Sequence, residues 1–297
     1  MKDKKDKTSK SLEFVRGAAR FADLVYILSK GKALLEEGIA HTSAVAVYQG
    51  NWVGAANTDW DSTAIAVSKK PSEKLVFVGE DGDVCTYVGG ASGKEAIKPA
   101  PVLIRNARTV DGLVIACGMR RQVYERVAEG RWVDMSAPFS KPEEEAGFEA
   151  IDGYSLKELY AVGWKGEIWQ YNGTRWTNRT SPTNVILTAV YCAPDKIVYI
   201  GGKDGVMIKG RNDSWEIIEW EDDFNLDIWD LCWFGGELYV ATISNLYTLS
   251  GNRLDEVDFG KIEVSTCYSL TEAQGVLWSI GNQDVLSFDG TTWQQYE

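Results

Sequence analysis

Apolar positions along the chain fall in short runs of β-branched and aromatic residues, punctuated by Gly, Asn and Asp. One run recurs: LVFVGEDG from Leu75, LVIACGMR from Leu113, LYAVGWKG from Leu159, VYIGGKDG from Val198, LYVATISN from Leu238 and LWSIGNQD from Leu277. The copies stand 38, 46, 39, 40 and 39 residues apart. A second signal follows most copies, an aromatic–turn–Trp run ending at Trp132, Trp176, Trp215 and Trp293. In the fifth copy Leu254 takes the Trp position, and the first copy has no such residue. Each unit resolves into four strands; in the fourth copy these are VILTAVYCA, IVYIG, VMIKG and WEIIE. Asn172-Gly173 and Asp289-Gly290 mark turns between third and fourth strands, because they accept positive φ at little cost. A four-stranded sheet of about 40 residues buries little by itself and needs neighbours on both faces. The pattern predicts an all-β chain, a β-propeller of four-stranded antiparallel blades.

Seven blades fit better than six. VAVYQGNWVGA repeats a third and fourth strand with Trp52 in place, and LVYILSKG from Leu24 resembles a second strand. On this reading the first blade, residues 11–56, is atypical, with an insertion across KALLEEGIAHTS, and regular blades span 62–297. The alternative makes residues 11–37 a helix capping six blades, since Phe14, Ala18, Phe21, Val25 and Leu28 fit a helical stripe. Residues 1–10 read as a flexible basic tail on a single domain of residues 11–297.

The run LYAVGWKGEIWQYNGTRW, followed by CAPDKIVYIGGKDGVMIKG, resembles bacterial propellers related to the Asp-box family. That group includes sialidase-like propellers and photosystem II assembly-factor-like proteins, and the likeness extends in pattern over residues 62–297. It implies the fold and says little of activity. Ser287-Phe288-Asp289-Gly290 comes nearest to an Asp-box, with Trp293 displaced. The resemblance would require a sialidase to carry an arginine triad on separate blades, whereas Arg105, Arg108, Arg120 and Arg121 cluster in one repeat.

Charge narrows the function. Lys plus Arg number 31 and Asp plus Glu 43, a net charge of −12, while the first ten residues hold five Lys and two Asp. Such a body repels nucleic acid and attracts a basic partner. The single His and the lack of a Cys/His cluster argue against a metal- or His-based enzyme, and no cofactor is expected. His41 reads as a surface or packing residue, and Glu80-Asp81-Gly82-Asp83 is too short for a calcium loop. The five cysteines, Cys85, Cys117, Cys192, Cys232 and Cys267, lie in apolar runs and read as buried free thiols. With no secretory leader and no apolar stretch of membrane-spanning length, the expectation is a cytoplasmic protein, monomeric before it binds its partner.

The strongest local anomaly is DSWEIIEWEDDFNLDIWD, residues 213–230, with eight acids, three Trp and no Lys or Arg. Its middle joins the fourth strand of one blade to the first of the next. Such connections share an end of the ring with the turns between second and third strands. Other acidic connections of this kind are NTDWDS, with Asp59, Trp60 and Asp61, and KPEEEAGFEAIDG, with Glu143, Glu144, Glu145 and Glu149. LDEVDFGKIE adds Asp255, Glu256 and Asp258 to Trp220, Glu221, Asp222, Asp223, Asp227 and Trp229. Aromatic residues among charges are the composition of interaction hot spots. The sequence therefore points to a non-catalytic, protein-binding propeller, and in a concrete form to an immunity protein that neutralises a cationic toxin such as a nuclease. A scaffold or assembly factor fits the same features. A glycan-binding or glycan-processing propeller is the other reading, with Trp60, Trp164 or Trp220 stacking on sugar rings.

Overall fold

The computed structural model describes residues 11–139 and 145–297. The reading of residues 1–10 as a tail, and the acids Glu143 and Glu144, lie outside them. The described residues form seven four-stranded antiparallel sheets, each with its strands side by side in chain order. Blade 1 comprises Leu12–Phe21, Leu24–Gly31, Thr42–Tyr48 and Asn51–Thr58; the first strands of blades 2 to 7 begin at Ser62, Ile104, Phe148, Leu187, Asp230 and Ser269. The ring is the seven-bladed propeller that the repeat predicts.

The recurring apolar motif forms the second strand of each blade from 2 to 7, and it is buried on both faces because a neighbouring blade covers each side. That is why it reads as a continuous apolar run and not as an alternation. Fourth strands such as Ser214–Ile217 alternate between exposed and half-buried positions, as outer edges should. Seven hydrophobic clusters fill the seven junctions between adjacent blades. Trp132, Trp176, Trp215 and Trp293 each enter the cluster shared with the preceding blade, and Leu254 does the same in blade 6.

Residues 12–21 are a strand, not a helix. Bulges between Phe14 and Arg16 and between Ala19 and Phe21 break the two-residue alternation, which leaves buried positions spaced as on a helix. The insertion in blade 1 holds one helical turn, Lys32–Glu36, with no buried residue. His41 closes it: Nδ1 donates to the Ile39 carbonyl at 2.7 Å, and Nε2 accepts the Gly31 N–H at 2.7 Å. Every blade is one contiguous stretch of chain, so no strand is exchanged where blade 7 meets blade 1. That seam is held by the Phe14 N–H on the Asn282 carbonyl at 2.8 Å, the Ala19 N–H on Thr271 Oγ1 at 3.0 Å, and Phe14 packed with Trp278, Ile280 and Val285 of blade 7. The five cysteines are free, four of them buried.

Candidate partner-binding face

Antiparallel order puts the connections between blades and the turns between second and third strands at one end of the ring. The acidic connections share this end but are not spread evenly over it.

At the junction of blades 1 and 2, Asp59 is exposed, whereas Asp61 is occupied. Its Oδ1 accepts the Lys30 ammonium at 2.9 Å and the His41 N–H at 3.1 Å. Trp60 is half-buried and packs into the junction; a Cβ on Gly79 would come within 2.6 Å of its ring, and Lys94 lies over its face at 5.6 Å. Between blades 3 and 4, Glu145 is exposed.

The dense sector is the junction of blades 5 and 6, where residues 218–229 are pinned at several points. Trp220 turns inward: its Nε1 donates to the Gly205 carbonyl at 2.8 Å, and its ring meets Phe224 at 5.5 Å, which in turn meets Tyr247 at 5.5 Å. Gly205 has φ +72°, and a Cβ there would lie 2.3 Å from the Phe224 carbonyl oxygen, so the loop packs directly on backbone. Asp227 accepts the Asp204 N–H at 3.0 Å, and the Ile228 N–H donates to the Gly202 carbonyl at 2.9 Å. Further along the outer side of the ring, the Glu221 N–H donates to the Asn252 carbonyl at 3.1 Å. This brings Glu221 and Asp222 toward Arg253. The hydrogen bond that Arg253 donates to Asp255, with added charge from Asp255, Glu221 and Asp222, holds its guanidinium above the ordinary value.

Asp255 and Glu256 belong to the fourth strand of blade 6, Arg253–Glu256, and not to the connection that follows. That strand pairs with Leu246–Ser250, which carries its acids to the same sector; Glu256 accepts the Asn245 side-chain amide at 2.7 Å. The structure thus gathers Glu221, Asp222, Asp223, Asp227, Asp255 and Glu256, and leaves Asp59, Asp61 and Glu145 at other junctions. Of the three Trp offered for sugar stacking, none stands free: Trp60 and Trp220 pack as described, and the Trp164 Nε1 donates to Glu149 at 2.6 Å.

Within the dense sector an apolar patch breaks the charge. Trp229 is 41% exposed, Leu226 39% and Ile243 55%. The Trp229 N–H donates to the Ala241 carbonyl at 2.8 Å, which sets the Trp229 backbone beside the end of the strand that leads into the turn carrying Ile243. Leu226 and Ile243 were not singled out by the sequence reading. Ile243 had a signal: it stands in LYVATISN where four of the other five copies carry Gly or a polar residue and the fifth carries Trp164. Among the described residues no cluster of three or more His, Cys, Asp or Glu side chains is arranged to hold a metal.

No family model matches the chain. Over 296 residues it is 42% identical to the "Immune protein Tsi7" of Pseudomonas aeruginosa, covering 95% of this chain and 96% of that protein. Among solved structures, the WD40 β-propeller domain of Doa1 superposes with a TM-score of 0.72 at 11% identity, covering 93% of this chain and 92% of that one. YCF48 bound to a D1 peptide superposes with a TM-score of 0.70 at 13% identity, covering 95% and 93%. These two likenesses are of fold.

Proposed function

The chain belongs to the family of the immune protein Tsi7, and from that membership we propose that it is an immunity protein which neutralises a basic toxin by binding it without catalysis. The observation that carries the placement of the site is the exposed Leu226, Trp229 and Ile243 patch set among the acids of blades 5 and 6. Acids there attract and orient a cationic surface, and the apolar patch supplies area that loses water on contact. A rigid ring suits such a task, because a pinned loop gives up little conformational freedom when it binds. The five free thiols fit action in a reducing cytoplasm.

The test uses the toxin that is the chain's native partner, with binding rates measured at several salt concentrations. Reversing Glu221, Asp222 and Asp223 to Lys together should weaken binding at least tenfold, about 1.4 kcal/mol. The loss should fall mainly on association, and salt should slow association of the native protein in the same way. Trp229→Ala should act mainly on dissociation. Unchanged binding in both variants, with loss on mutation of the opposite end of the ring, would remove the site from this sector.

A further inference from the structure

The seven first strands enclose a channel on the ring axis, and charged side chains cross its middle. Arg108 of blade 3 donates Nη2 to Asp230 Oδ1 of blade 6 at 2.9 Å. Both Asp230 oxygens are further engaged, by the Leu231 and Leu270 N–H groups, each at 2.9 Å. Arg105 lies 3.8 Å from Glu149 of blade 4, and Asp152 of that blade accepts the Cys192 N–H at 2.7 Å. Arg16 of blade 1 is the exception: it makes no hydrogen bond or ion pair with any described residue. Its nitrogens are not sealed in protein but open onto the channel. From this layer toward the end opposite the acidic sector, the channel widens into a cavity of about 650 Å³, with the Arg20–Glu73 pair among the residues at its mouth.

A guanidinium carries five N–H donors, and leaving them unmet in a poorly hydrated site is costly. Burial lowers the Arg16 pKa; Asp230 and Glu149 attract its charge, and Arg108 opposes it. Those two carboxylates each already face another guanidinium. Water in the channel would satisfy the Arg16 donors but leave its charge with no carboxylate in contact, whereas Asp230 already meets the charge of Arg108. An anion meets both needs. We propose that a compact monovalent anion, a halide or the carboxylate of a small acid, sits in the channel on Arg16 and Arg108 and ties blade 1 to blade 3. The site lies within the ring and owes nothing to the partner face.

Bromide is the probe. Crystals of the full chain grown in sodium bromide should show an anomalous peak at Arg16 and Arg108, and formate displacing that peak would assign the site to carboxylates, failure to displace it to halides. In solution, replacing isethionate with bromide at fixed ionic strength should raise Tm in a saturable way, by about 2 °C or more. Arg16→Met should lose the saturable component. If that variant does not fold, the peak in the native protein decides. A channel without bromide density, together with a Tm that does not depend on the anion at fixed ionic strength, would overturn the assignment.

Discussion

Arg126 is fully buried between blades 2 and 3, and its partner Glu95 is nearly so. The guanidinium grips the carboxylate with two hydrogen bonds, the Nε–Oε2 contact at 2.8 Å. Burial is the largest single influence on the Glu95 pKa and would raise it, but the hydrogen bonds and charge of Arg126, together with the Gly130 backbone N–H, outweigh it and hold the group below the ordinary range. A carboxylate with a lowered folded pKa stabilises the fold above its unfolded value of about 4.3, and that contribution fades as pH falls through the lower folded value. Arg126→Met leaves a buried charge unpaired and should cost about 3–5 kcal/mol in denaturant unfolding at pH 7. Adding Glu95→Gln should recover most of that loss, and the double variant should unfold with a weaker pH dependence between about pH 3 and 5. Equal stability of the single and double variants would show that the pair itself contributes little.

At the scale of elements, the connection 218–229 gives two tryptophans opposite roles. Trp220 holds the loop down through Gly205 and Phe224, so Trp220→Ala should speed amide exchange across residues 218–227 and lower Tm by several degrees. Trp229→Ala, on an exposed side chain, should leave exchange and Tm nearly unchanged. The sequence could not separate the two, because a Trp among acids reads alike whether its ring turns in or out. What decided it was a glycine at positive φ in a different turn, Gly205, whose lack of a side chain admits the loop. Second strands were legible for the opposite reason: burial on both faces leaves an unbroken apolar run, repeated at near-constant spacing. First strands were harder. Blades 1 to 5 share a bulge near the start of this strand, at Val15, Thr63, Arg105, Glu149 and Thr188, and one extra residue leaves no mark in composition. The same limit hid the end of the strand Arg253–Glu256, where acids continue past the last paired residue.

For the molecule as a whole, the seam between blades 7 and 1 decides whether the ring stays shut. Phe14 is central to it, buried against Trp278, Ile280 and Val285. Phe14→Ala should cost about 3–5 kcal/mol and open blades 1 and 7 first, read as early loss of exchange protection in both before the middle blades. Uniform loss around the ring would mean that the seam is no weaker than the other six junctions. The contiguous blades have another consequence. The chain steps from the rim of one blade to the axis of the next six times, through connections of 3 to 13 residues. The Glu297 carbonyl already accepts the Trp52 Nε1–H at 3.0 Å, so the last residue lies against blade 1. A linker no longer than those connections should therefore join Glu297 to Leu12, with new ends opened at residues 180–186. Such a circular permutant should melt within a few degrees of the parent and bind the same partner. Which blade is translated first is then a matter of history: the ring has a sequence of neighbours but no first member.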